Sequence, residues 1–260
     1  MIRARESKSA PVGVVGKVLK ILEALDVAPG GLPLKDIAQQ TSINKATAYR
    51  FLAHLETEGY LFRDAGGAYL VGPKLARLGS GNSYHSTLRK ICRPVLQNLW
   101  KITRETVNLA VLDGQEVLYL DVLESPHTFR LASQIGSRRP VHSTALGKAI
   151  LAHLPLEEKE DLLSSLKLER FTRHTLANPL RLKKDLLKVR RCGYALDDQE
   201  AGLGSRCVSA PIFDVTGRVA AAMSVSGPIT RIARDNVPMF SRVVVDAATT
   251  VSASLGYPKT

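Results

Sequence analysis

Asn44 is followed by Lys45, Thr47, Tyr49 and Arg50, four side chains that fall outside the apolar stripe of a helix spanning residues 45–58. Basic, hydroxyl and aromatic groups in the N-terminal half of a helix can reach base edges in a DNA groove. A solvated helix face is the competing reading, and Tyr49 could equally pack on its own domain. Glu56 and Glu58 are held back to the far end of the same helix, away from a phosphate surface. Other chemistries fail on spacing. Gly147-Lys148 lacks a P-loop, because His142 stands where its first glycine belongs and Ala149 replaces the magnesium-binding hydroxyl. No GxSxG elbow occurs. Cys92, Cys192 and Cys207 are odd in number and far apart, which disfavours a disulfide framework or zinc finger and fits a reducing compartment. His142 with Cys207 makes two potential zinc ligands without a close third, so a core histidine is the better reading. The acid-rich run Glu157-Glu158-Lys159-Glu160-Asp161 suits the first turn of a helix and needs no catalytic role.

The elements that would position a DNA-reading face are legible around it. Val14, Val15, Val18, Leu19, Ile21, Leu22 and Leu25 set a helical stripe over residues 14–26, stopped by Pro29-Gly30-Gly31. A second helix starts at Leu34, Thr41-Ser42-Ile43 turns the chain, and Asn44 is a good N-cap. Ala48, Phe51, Leu52 and Leu55 recur at the spacing of a buried helical face, and Gly59 fits the C′ position. Residues 60–63 and 68–71 around Asp64-Ala65-Gly66-Gly67 read as a β-hairpin. A hairpin after such a helix is the wing of a winged helix-turn-helix, and it makes Arg63 a candidate DNA-backbone contact.

Residues 73–104 read as helix with a weak spot at Gly79–Ser83, expected to fray or kink. Beyond Thr106 come a hairpin around Asp113-Gly114, helices over 145–154, 156–166 and 179–192, two apolar strands around Asp214–Gly217, and a closing helix over 235–255. The fold class expected is α+β: a winged helix-turn-helix, a linker helix and an α/β sensor-like domain. The boundaries expected are a disordered tail at 1–10, the DNA-binding domain at 11–72, the linker at 73–89 and the second domain at 90–260.

Charge supports an anionic partner. The 260 residues carry 36 Lys/Arg against 24 Asp/Glu, a net of +12. Residues 1–90 hold 13 and 7 of these, so the first third carries half of the excess. Between Val27 and Leu55 the only acid is Asp36, against Lys35, Lys45 and Arg50, the footprint a phosphate-binding surface needs. No apolar run approaches the length of a membrane span, and the basic N-terminus lacks the hydrophobic region of a secretory signal. A cytoplasmic protein without membrane partners is expected.

Three further segments carry a resemblance. Gly193, Asp197, Glu200, Cys207, Val208, Ser209, Ile212, Phe213 and Asp214 stand at characteristic spacings; residues 142–152 read HSTALGKAILA; and the helix-turn-helix reads NKATAYRFLAHLETEGYL. Together they resemble the IclR family of bacterial transcription regulators over nearly the whole chain. The resemblance implies a GAF-like effector-binding domain for a small, carboxylate-type metabolite. It places Ala145 and Leu146 where backbone amides at a helix start can hold a carboxylate, and Asp197, Cys207, Ser224 and Ser226 in a polar pocket. Ser224 and Ser226 alternate along one strand and can share a cavity; hydrogen bonds to backbone are their plainer role, as a buried thiol is for Cys207 and a surface turn for Asp197. The function expected is a ligand-responsive regulator that binds a palindromic operator in double-stranded DNA as a homo-oligomer, a dimer or a dimer of dimers, with no cofactor and no metal. A metabolite-converting α/β enzyme with an accessory DNA-binding domain is the alternative.

Overall fold

A computed structural model describes residues 13–28, 30–78 and 81–258. The tail expected at 1–10 lies outside these residues, as do Gly79 and Ser80 of the expected weak spot. Contacts divide the chain after Tyr84 into two compact units.

The first unit runs α1 (Val14–Asp26), β1 (Leu32–Pro33), α2 (Leu34–Thr41), α3 (Lys45–Thr57), β2 (Leu61–Arg63), β3 (Ala68–Val71) and α4 (Pro73–Leu78). Ile21, Leu25, Ile37, Ile43, Ala48, Leu52, Leu61 and Tyr69 form its core, with Phe51 and Leu55 packed against it. The apolar stripe read from α3 therefore faces inward. Helix α2 ends on Ser42 in the left-handed region (φ 55), which reverses the chain into α3. Gly59 (φ 75) ends α3, with the Tyr60 N–H donating to the Leu55 carbonyl at 2.8 Å. The wing is present, and the two-residue β1 adds a third strand to it, in the order β1-β3-β2.

The next helix, α5 (Gly81–Thr103), is continuous through Gly81, Asn82 and Ser83, so the expected kink is absent at those residues. The docking stripe of α5 starts only at Leu88 and continues through Cys92, Leu96 and Leu99. Once that stripe nucleates the helix, adding weak formers at its end costs little.

The second unit continues with β4 (Thr106–Asp113), β5 (Glu116–Leu123), β6 (Arg138–Pro140), α6 (Ala145–His153), α7 (Leu156–Ser165), α8 (Pro179–Cys192), β7 (Ala195–Asp198), β8 (Ser205–Phe213), β9 (Val219–Pro228) and α9 (Val237–Ser254). Its six strands pair antiparallel in the order β6-β5-β4-β9-β8-β7. The period-2 alternation of β4 decides what covers each face. Val107, Leu109 and Val111 join the cluster with α5 and α9. Ala110 joins the opposite cluster, with α6 and α8. No helix among the described residues is long and apolar enough to cross a membrane.

Candidate functional site

Two surfaces carry the candidate residues, one in each unit. In the first, the Asn44 side chain accepts the Ala46 N–H at 2.9 Å and so caps α3. Lys45, Tyr49 and Arg50 are exposed and Thr47 is half-buried, while Ala48 and Leu52 lie at 0% exposure on the opposite side. Tyr49 is 52% exposed, so it does not pack into its own domain. Lys45 and Arg50 have no ion-pair partner among the described residues, which leaves both cations available to an external anion. Arg63 differs. Its Nε donates to the Gly67 carbonyl at 3.2 Å and its guanidinium lies 5.5 Å from the Tyr69 ring centroid, so it braces the wing turn.

In the second unit, Ala145, Leu146, Asp197, Cys207, Ser224 and Ser226 line one cavity of about 190 Å³. Sheet register explains the grouping. Asp197 lies opposite Cys207, Cys207 opposite Ser226, and Ser224 opposite Asn108, all on the sheet face toward α6. Thr144 caps α6 by accepting the Gly147 N–H at 3.1 Å. The N–H groups of Ala145 and Leu146, in the first turn of α6, have no acceptor among the described residues and point out of the helix start. Gly147 permits this placement: a Cβ there would stand 2.2 Å from the Val141 carbonyl oxygen and 2.3 Å from its Cα. Only glycine lets α6 lie so close to the segment leading out of β6.

Asp197 is 2% exposed. Its Oδ1 accepts the N–H groups of Glu200 at 2.7 Å and Ala201 at 3.3 Å. Burial pushes its carboxyl up to about 6, against the pull of those N–H groups and of Lys148. Burial, with Asp197 beside it, also raises the Cys207 thiol far above its ordinary value. A thiol held protonated is a poor nucleophile. Among the described residues no three His, Cys, Asp or Glu side chains could share a metal ion. His142 is buried, its Nε2 donates to the Glu169 carbonyl at 2.9 Å, and its ring stacks 5.9 Å from Phe171.

Several cavity residues escaped the sequence reading: Tyr119, Ser133, Arg139 and Ser205 also line it. Arg139 is exposed, has no ion-pair partner among the described residues and is the one cation of the lining. The Arg138-Arg139 pair just before HSTALGK was the available signal. Behind the cavity sits Lys148, at 1% exposure, with Nζ 2.5 Å from Glu200 Oε1 and 2.9 Å from Asp185 Oδ2. Burial disfavours its charge, but the two carboxylates outweigh that and raise it above its ordinary value. A larger cavity, about 360 Å³, lies between α9 and β8 and includes Ala210, Phe213, Ala248 and Tyr257. Its walls are mostly apolar, and the polar side chains converge on the smaller one instead.

Comparison with known proteins follows the same division. A model of the IclR helix-turn-helix domain matches residues 14–65, and a model of the bacterial transcriptional regulator IclR C-terminal domain matches residues 83–253. The transcriptional repressor IclR of Escherichia coli (strain K12) is 36% identical over 264 residues, covering 98% of this chain and 96% of that protein. The crystal structure of Thermotoga maritima IclR superposes with a TM-score of 0.65 at 33% identity, covering 94% of this chain and 98% of that one. An IclR homolog from Microbacterium hydrocarbonoxydans, complexed with 4-hydroxybenzoate, superposes with a TM-score of 0.61 at 26% identity over 94% of this chain and 99% of that one. The chain belongs to the IclR family of bacterial transcriptional regulators, with a helix-turn-helix domain and a C-terminal effector-binding domain.

Proposed function

We propose that this regulator reads a roughly palindromic operator through α3 and senses a small organic carboxylate in the 190 Å³ cavity. Lys45, Thr47, Tyr49 and Arg50 contact the major groove, and Arg63 rests on the backbone while bracing the wing. Two copies would place their α3 helices one helical turn of DNA apart, so the working unit is a homo-oligomer, a dimer or a dimer of dimers. A cytoplasmic location follows from a DNA partner. Bound ligand changes operator affinity only insofar as it binds two arrangements of the regulator unequally. The cavity senses its ligand and does not convert it.

The carrying observation is the convergence of unsatisfied donors on the cavity: the Ala145 and Leu146 N–H groups at a helix start and the unpaired Arg139. The 4-hydroxybenzoate held by a family member supports the same class of ligand. Selection of bound duplexes from a random pool should return two inverted half-sites. Acetate, glycolate, benzoate and 4-hydroxybenzoate, added singly, should then include at least one that raises the melting temperature and shifts affinity for the selected duplex. An enriched site without inverted symmetry would refute the dimeric reader, and indifference to every acid would refute the carboxylate sensor.

A further inference from the structure

Asn108 stands behind the effector cavity, outside its lining. It lies on β4 at 1% exposure, directly across from Ser224 of β9. Its Nδ2 donates to Ser224 Oγ at 3.1 Å and to Ser226 Oγ at 3.2 Å. Its Oδ1 is buried and has no partner among the described residues. An apolar side chain would fill this strand position without that unpaired acceptor, so packing alone does not account for the amide.

A serine hydroxyl has one proton and two lone pairs. Asn108 occupies a lone pair on each serine, and neither serine proton can return along that contact. The two Oγ atoms are 3.5 Å apart, so at most one proton is shared between them. The rest of the cavity is also donor-rich, with free N–H groups at Ala145 and Leu146 and the Arg139 guanidinium. Its one carboxylate, Asp197, already accepts two backbone N–H groups through Oδ1.

We infer that Asn108 is a positioning residue that makes Ser224 and Ser226 hydrogen-bond donors toward the cavity, so that the effector presents acceptor oxygens to that wall. The ligand class is a small oxyanion with a further acceptor oxygen facing the two serines. This rests on the carboxylate reading above and sharpens it by assigning a polarity to each wall.

The test is calorimetric titration of the full chain at pH 8 with glycolate, benzoate and 4-hydroxybenzoate, and with benzylamine as a probe that offers only donors. For each acid that binds the wild type, Asn108→Asp should weaken Kd about tenfold or more, because a carboxylate there draws both serine protons away from the cavity. Asn108→Leu removes the donor that orients both hydroxyls and should weaken it about threefold or more, though less than Asn108→Asp, because an apolar neighbour takes no proton. Benzylamine should bind much more weakly than benzoate. A role in packing alone predicts the opposite order, because Asp matches Asn in shape and Leu does not. Binding by Asn108→Asp within about threefold of wild type, wild-type binding by Asn108→Leu, a larger loss in Asn108→Leu than in Asn108→Asp, or benzylamine binding as tightly as benzoate would each overturn the inference. If Asn108→Asp fails to fold, Asn108→Leu and benzylamine decide it. If no acid binds the wild type, the carboxylate reading falls and this one with it. Acid binding that survives Asn108→Asp removes only the polarity assignment.

Discussion

Asp197→Asn removes one buried charge and keeps the shape of the side chain, and its consequence can be worked out in magnitude and sign. The amide oxygen can still accept the Glu200 and Ala201 N–H groups now held at 2.7 and 3.3 Å. The ordinary aspartate value is 3.8, and burial holds Asp197 up to about 6. That difference corresponds to about 3 kcal/mol between the two protonation states. Because the folded value lies above the unfolded one, the folded state binds the proton more tightly. Wild-type stability is therefore lost as pH rises between 3.8 and about 6, and the loss is constant above that window. The variant has no such group. The two proteins should be about equally stable near pH 4 and diverge as pH rises, with the variant more stable by about 3 kcal/mol at pH 8. For a unit of this size that is about 6–12 °C in melting temperature. Thermal melts of both proteins across pH 4–8 measure it. A wild type as stable as the variant at pH 8, or a gap that does not close toward pH 4, would refute the reasoning.

Gly147→Ala should cost several-fold in affinity for any cavity ligand and lower the melting temperature, because its methyl would meet Val141 backbone and push the start of α6 away; titration and melts check both. Lys148→Met leaves the Glu200 and Asp185 carboxylates without their shared cation and should destabilise by about 3–5 kcal/mol in urea unfolding. Burial pushes Glu200 up to about 7, so the loss should be larger at pH 8 than at pH 6. Arg50→Ala should cost about 1–3 kcal/mol at one operator position if the guanidinium reads a base. Competition titrations with single-base variants of the selected duplex measure it, and an equal loss on every duplex would make Arg50 a phosphate contact.

The helix-turn-helix was legible because its determinants are local. Asn44 caps α3, Ser42 turns the chain and Gly59 stops the helix, all within the reach of a short sequence window. β1 was not legible, since two residues carry no alternation; its existence depends on Leu32 and Pro33 meeting Tyr69 and Ala68. In the second unit the helices and the longer strands could be read, but the placing of β9 between β4 and β8 could not, because it joins residues more than a hundred positions apart. β6 and β7 are short edge strands and left no periodic signal. The same non-locality hid half of the candidate site. Ser224 and Ser226 alternate visibly, but Asn108 becomes their partner only through the β4–β9 register. In sequence Lys148 resembles only a failed phosphate loop, since its partners lie 37 and 52 residues away.

The ammonium of Lys148 also has a mechanical consequence. It rises from α6 and grips α8 through Asp185 and the segment after β7 through Glu200. The first turn of α6 and residues 197–202 are walls of the cavity, so those walls are cross-linked and resist spreading. The wall formed by Leu131–Ser133 belongs to a stretch, residues 124–137, without helix or strand. It is tethered by a few bonds such as that from Thr106 Oγ1 to the Leu131 carbonyl at 2.8 Å. No buried ion pair of the Lys148 kind holds Leu131–Ser133 among the described residues. A substitution in this stretch would therefore reshape one wall of the cavity while leaving the stapled walls in place.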